Sequence, residues 1–125
     1  MPGELVSRFI RLIEQGEVAQ AATLLAPDCE YDNVPIGKVV GAEQVVGILQ
    51  PFVARYDEVD WVVHRQVAQG TLSQGTVLNE RTDRFRAGDH WVELPVAGVF
   101  EVRDGLITLW RDYFDLASLQ RATAG

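Results

Sequence analysis

From residue 58 onward the chain alternates apolar and polar residues with a period of two. Glycine-bearing turns interrupt that pattern at Gly70-Thr71, Ala87-Gly88-Asp89 and Asp104-Gly105. Strands joined by so little chain pair antiparallel. The pattern predicts a meander of four strands, about 58–69, 72–86, 90–103 and 105–115. In the third, the row Val92, Leu94, Val96, Gly98, Phe100 and Val102 is almost wholly apolar and marks the core face. In the last, Leu106, Thr108, Trp110, Asp112 and Phe114 share one face, and Ile107, Leu109, Arg111 and Tyr113 the other. Both rows are rather apolar, which predicts that the outer face of the sheet meets a second subunit.

The residues before 58 read differently. Leu5, Val6, Phe9, Leu12 and Ile13 follow helical spacing over 3–15, and Gly16 stops the helix. A second short helix is predicted over 17–25, ended by Pro27, and a short strand over 29–34. Val45, Val46, Leu49, Phe52, Val53 and Tyr56 form an apolar stripe on a helix over 42–56, where Pro51 should kink or split it. Residues 116–122 form a short closing helix. Helices first and a long antiparallel sheet after make an α+β domain spanning 1–125, its curved, mostly antiparallel sheet wrapped around the N-terminal helices. Such a sheet makes a cone with a pocket inside.

Composition narrows the function classes. A net charge of −7 over 125 residues argues against nucleic acid and anionic membrane surfaces as partners. Cys29 is the one cysteine, so no internal disulfide forms. No stretch approaches the roughly 18 consecutive apolar residues of a membrane span, and Glu4, Arg8, Arg11 and Glu14 break up any signal-peptide core. The expected location is the cytoplasm.

The unusual stretch is Val77-Leu-Asn-Glu-Arg-Thr-Asp-Arg-Phe85. Read as a strand, it puts Val77, Asn79, Arg81, Asp83 and Phe85 on one face, so an arginine and an aspartate lie on the core-facing row. Burying two ions costs several kcal/mol each unless they are paired. Tyr31 and Asn33 share a face of the first strand, and Asp112 sits between Trp110 and Phe114. If these rows face one cavity, two carboxylates, a guanidinium, a phenol and an amide meet in an apolar wall. Two such carboxylates titrate apart, giving a general base and a general acid. In a simple meander Asp83 and Asp112 lie two strand spacings apart, roughly 10 Å before the sheet curls. Tyr31 and Asn33 both donate and accept, so beside a carboxylate they can hold one water. There is no G-x-S-x-G elbow, no Gly-rich phosphate loop, and no metal-ligand spacing between His64 and His90.

Tyr31-Asp32-Asn33, the run Val77–Asp83, Gly98-Val-Phe100 and Trp110-Arg-Asp-Tyr-Phe-Asp-Leu116 resemble the limonene-1,2-epoxide hydrolase family, a branch of the NTF2-like, SnoaL-like superfamily. The family pattern is Y-x-N, then R-x-D, then a W-R-D-Y-F-D strand end, and the resemblance spans essentially the whole chain. It implies one-step hydrolysis of an epoxide without cofactor or metal. Asp112 would deprotonate a water held by Tyr31 and Asn33, Asp83 would protonate the epoxide oxygen, and Arg81 would bridge both aspartates. It also implies a homodimer through the outer sheet face.

Each residue has a plainer reading. Arg81 and Asp83 can be a structural ion pair, Tyr31 a core aromatic and Asn33 a turn residue before Val-Pro. Asp32 and Asp115 read as surface or capping groups, His64 and His90 as solvated or structural, and Cys29 as a small buried hydrophobe. Phe52, Phe85, Leu94, Val96, Trp110, Phe114 and Leu119 are core candidates, some of which line the pocket and would favour a small apolar cyclic or terpene substrate. Two alternatives stay open: an isomerase or cyclase like the ketosteroid isomerase and polyketide cyclase relatives, or a non-catalytic ligand-binding module on the same fold.

Overall fold

The computed structural model describes residues 1–124. The elements are α1 (Pro2–Glu14), α2 (Val18–Ala22), β1 (Leu25–Asn33), β2 (Gly37–Val40), α3 (Ala42–Arg55), β3 (Glu58–Gly70), β4 (Gln74–Ala87), β5 (His90–Arg103), β6 (Leu106–Tyr113) and α4 (Leu116–Thr123). They form a mixed α+β fold in which six strands make one curved, unclosed sheet, in the order β2-β1-β6-β5-β4-β3. β3 to β6 are the expected antiparallel meander. β1 joins the other side of β6 in parallel and pairs antiparallel with β2, so the sheet is mixed.

The departures from the sequence expectation have local causes. β1 begins at Leu25, at the expense of the second helix, and its register against β6 shifts between Leu25 and Glu30, around Pro27. A proline that cannot donate to a ladder is tolerated at such an irregularity. β2 has four residues, too few for a periodicity to show. α3 runs unbroken through Pro51. Pro51 and Gly47, the residue whose carbonyl loses its donor, both face solvent, where water can satisfy that carbonyl.

Bulges change the facing of two strands, and one of them corrects a sequence expectation. Val102 pairs with Ile107 but Glu101 with Leu109, so Thr108 is an extra residue in β6. The strand changes face there, and Ile107, expected outside, is fully buried beside the core. In β3, Val63 pairs with Arg81 but Arg65 with Glu80, so His64 is an extra residue too. Beyond it Gln66 lies opposite Asn79, on the inward row.

α1 lies against β3 and β4 and buries Val6, Phe9, Ile10, Leu12 and Ile13. It also covers the open edge of β3. Glu14 Oε2 accepts the backbone N–H of Trp61 at 2.8 Å, and Gln66 Nε2 donates to the Gly3 carbonyl at 3.1 Å. A free strand edge invites pairing with another chain, and this contact blocks it. The core centres on Trp110. Phe9 meets it edge-on at 5.1 Å, while Tyr31 and Phe100 stack on it at 4.0 and 5.9 Å. Among the described residues, no helix is long and apolar enough to cross a membrane.

Phe9 is wholly buried and does not line the pocket described below, so Phe9→Ala tests the docking of α1. Urea denaturation should show a loss of about 3–5 kcal/mol. A loss below about 1 kcal/mol would mean that the helix is not held by this contact.

Candidate active site

The pocket opens between the concave face of the sheet and helices α3 and α4, and has a volume of about 170 Å³. Its polar floor comes from three strands. β1 supplies Tyr31 and Asn33, β4 supplies Asp83, and β6 supplies Asp112. Strand β5 lies between β4 and β6, so the two aspartates stand two strand spacings apart. They are also offset along the sheet: Asp83 lies opposite Leu94 and Asp112 opposite Gly98.

Arg81 spans that gap. Its Nε and Nη2 donate to Asp83 Oδ1 and Oδ2 at 2.9 and 3.1 Å, a two-pronged contact. Nη2 also donates to Asp112 Oδ2 at 2.9 Å, and Nη1 donates to Asn79 Oδ1 at 3.0 Å. The guanidinium is wholly buried, with Asp83 and Asp112 only 7% and 4% exposed. The Trp110 indole N–H donates to Asp112 Oδ1 at 3.0 Å, so both oxygens of Asp112 accept N–H groups.

Arg81 can cross to Asp112 because β5 carries Gly98 there. A Cβ at that position would run into Arg81 Nη1 and sit 2.7 Å from Asn79 Oδ1 and 3.1 Å from Asp112 Oδ1. The glycine is required for close approach of side chains, not for an unusual backbone angle.

One guanidinium cannot neutralise two buried carboxylates. Burial pushes the Asp83 carboxyl above its usual range; Arg81 opposes this and the charge of Asp112 adds to it. Burial pulls the Arg81 guanidinium down, but Asp112 and Asp83 together outweigh it and hold Arg81 above its ordinary value. Burial, then Asp112, raises the Tyr31 phenol, so it remains a neutral hydroxyl. Asn33 and Asp112 are register partners across the parallel β1/β6 pair, and Tyr31 is the partner of Trp110 one step of two back. The phenol, the amide and the Asp112 carboxylate therefore share one end of the pocket floor.

The walls are apolar. Of the residues expected there, Phe52, Phe85, Leu94, Val96, Phe114 and Leu119 line the pocket. Trp110 does not. It lies behind Tyr31, fully buried, because its ring packs into the core and only its N–H reaches the polar floor. Sequence reasoning missed Trp61, Leu49, Ile48 and Ile36 as lining residues. Trp61 lies opposite Asp83 in the β3/β4 register, a pairing that a sequence cannot supply. Ile36 sits in the turn between β1 and β2, which carries no periodic signal.

The plainer readings fit the remaining groups. Asp32 accepts from Arg111 Nε at 3.0 Å on the outer side of the sheet. Asp115 stands at the start of α4 and accepts the Ser118 hydroxyl at 2.7 Å. His64 and His90 are exposed and contact Thr82 Oγ1 and the Ala122 carbonyl. Cys29 is buried, its thiol pushed up to about 12 by burial and by the charges of Asp28 and Glu30.

Comparison with known proteins agrees with this architecture. The family model described as the limonene-1,2-epoxide hydrolase catalytic domain matches residues 2–125. Epoxide hydrolase EphG of Mycobacterium tuberculosis is 35% identical over 111 residues, covering 89% of this chain and 71% of that protein. The solved structure of an M. tuberculosis LEH-like epoxide hydrolase superposes with a TM-score of 0.82 at 32% identity, over 97% of this chain and 87% of that one. An NTF2-like protein of unknown function from Cytophaga hutchinsonii superposes with a TM-score of 0.73 at 19% identity, over 95% and 94% of the two chains, and shows the shared fold. The chain therefore belongs to the limonene-1,2-epoxide hydrolase family and is an epoxide hydrolase of that type.

Proposed function

We propose that the chain adds water to a small apolar cyclic or terpene epoxide in one step, giving a vicinal diol. The observation that carries this reading is the single guanidinium shared by two buried carboxylates at the floor of an apolar pocket. Asp112 is the base. It takes a proton from a water held by Tyr31 and Asn33 as the water oxygen bonds to an epoxide carbon. Asp83 is the acid, and its raised pKa favours the protonated form that this role needs. It gives its proton to the epoxide oxygen as the C–O bond breaks. One water is consumed, both new hydroxyls stay on the product, and the proton returns from Asp112 to Asp83 before the next cycle. Arg81 holds the two carboxylates at a fixed separation.

The pocket's size supports a small ring. An apolar cavity of about 150 Å³ holds a benzene-sized molecule, and this one is about 170 Å³. Ile36 and Ile48 at its edge are 64% and 39% exposed, so a substituent can extend past them toward solvent.

Diol formation from limonene-1,2-epoxide and cyclohexene oxide tests the reaction. Wild type should turn over at least one of them. Asp83→Asn and Asp112→Asn, folded by circular dichroism, should lose about a thousandfold or more in kcat. Asn33→Ala should also lose diol formation, whereas an isomerase on this fold would tolerate it. A folded wild type inactive on every small epoxide would overturn the reading.

The pH dependence follows from Asp83. Its native pKa is raised, so the native state holds this proton more tightly than the unfolded chain. The associated stability is complete below the ordinary carboxyl value of about 4 and is lost as pH rises through the raised native value. The acid is lost over the same rise. The rate profile of kcat should therefore fall on its alkaline side, and an alkaline-side plateau extending to pH 10 would contradict Asp83 as the acid.

The outer sheet face supports the homodimer expected from the sequence. Val67, Leu78, Val99 and Arg111 are successive register partners across β3 to β6, and Val67, Leu78 and the nearby Tyr113 are 64%, 46% and 46% exposed. Sedimentation equilibrium should give a dimer for wild type and a monomer for Leu78→Glu. A monomeric wild type at micromolar concentration would rule the interface out.

A further inference from the structure

Arg81 has a third polar contact that the acid–base reaction does not use. Its Nη1 donates to Asn79 Oδ1 at 3.0 Å. Asn79 Nδ2 then donates to Gln66 Oε1 at 3.1 Å, and Gln66 Nε2 donates to the Gly3 carbonyl and to Ser7 Oγ, each at 3.1 Å. Two side-chain amides thus run from the buried guanidinium to the first turn of α1. Asn79 is 5% exposed and Gln66 is half-buried.

The direction of this chain is fixed by its ends. A guanidinium has only donors and a backbone carbonyl only acceptors. Asn79 must turn its oxygen to Arg81 and its NH₂ to Gln66. Gln66 must turn its oxygen to Asn79 and its NH₂ to Gly3. If either amide flips, donors face donors or acceptors face acceptors. The backbone is shaped for the same purpose. The extra residue at His64 is what turns Gln66 inward, opposite Asn79, and the missing side chain of Gly98 leaves room where Asn79 Oδ1 and Arg81 Nη1 meet. With Nε and Nη2 held by the aspartates, the Asn79 contact secures the remaining Nη group and leaves the guanidinium no freedom to rotate in its plane.

We propose that Asn79 and Gln66 are positioning residues: a polarised two-amide relay that ties the Arg81 guanidinium, and through it the spacing of Asp83 and Asp112, to helix α1. The proposal rests on the acid–base reading given above. Neither amide lines the candidate active-site pocket, so they act on the rate through Arg81, not on substrate binding. The titratable groups around the guanidinium are Asp83 on β4, Asp112 on β6 and Tyr31 on β1, and Glu14 on α1 is within electrostatic reach of Asp83.

The test compares Asn79→Leu, Asn79→Asp and Gln66→Leu with wild type, measuring kcat, KM and the pH profile of kcat on whichever of the two epoxides wild type hydrolyses. Asn79→Leu removes the acceptor at nearly constant volume and should lower kcat about tenfold to a hundredfold, with KM changed less than about threefold. Gln66→Leu leaves the Asn79 NH₂ without its acceptor and should lower kcat in the same direction by a smaller factor. Asn79→Asp keeps an acceptor for Arg81 but adds a third carboxylate, which should move the alkaline limb up by about one pH unit. A merely structural pair would lower the melting temperature and leave the kcat of folded Asn79→Leu and Gln66→Leu where it was. That result overturns the proposal. If Asn79→Leu does not fold, kcat of Gln66→Leu decides it by the same criterion. Retained activity in Asp83→Asn and Asp112→Asn would instead mean that the acid–base reading itself has failed.

Discussion

The whole pocket floor depends on one buried guanidinium being shared by two carboxyl groups. Taking a guanidinium and two carboxylates out of water costs several kcal/mol per ion, and a single positive charge cannot repay both acids. The deficit is distributed in an ordered way. Arg81 takes Asp83 with two prongs and Asp112 with one, and Trp110 adds an indole N–H to Asp112. Asp112 is thereby surrounded by donors, while burial and the neighbouring charge leave Asp83 inclined to keep a proton. Two chemically identical side chains thus sit in different hydrogen-bonding surroundings on one pocket floor.

The sheet exists in the form it does to hold that arrangement. Strand β5 contributes no charged group to the floor, yet it sets the distance between the aspartates and, at Gly98, removes the side chain that would block the guanidinium. The helices close the apolar side of the pocket and cover the edge of β3. The apolar walls act on the polar floor as well, because a dry pocket strengthens every electrostatic contact within it.

Much of this was legible in the sequence, for identifiable reasons. Four long strands with short turns leave one economical topology, and the period of two placed Arg81, Asp83 and Asp112 on inward rows. Period alone failed where a bulge changed the face of a strand. The period puts Ile107 outside, yet it lies in the core, and Gln66 turns inward only through the extra residue at His64. A bulge leaves no mark in hydrophobicity, since it is a property of two strands and not of one. The same limit hid β2, the parallel β1/β6 pairing and the position of Trp61 opposite Asp83. Asn79 was in view on the row of Arg81, but its role depends on a partner thirteen residues away in sequence across a register shift.

The parallel pairing of β1 with β6 has a consequence for how the molecule comes into being. Asp32 and Arg111, neighbours in that pairing, are 79 residues apart in the chain, and Tyr31, Asn33 and Asp112 flank them. Contacts between such distant segments require closing a large loop, the slowest kind of ordering for a chain of this size. The meander can form from local hairpins without β1, and in that state Arg81 and Asp83 already lie together. Tyr31 and Asn33 meet Asp112 only when the N-terminal strand docks on the C-terminal one. A growing chain emerging from the ribosome thus carries Tyr31 and Asn33 long before it carries Asp112, and the pocket floor is complete only once the last strand has found its place.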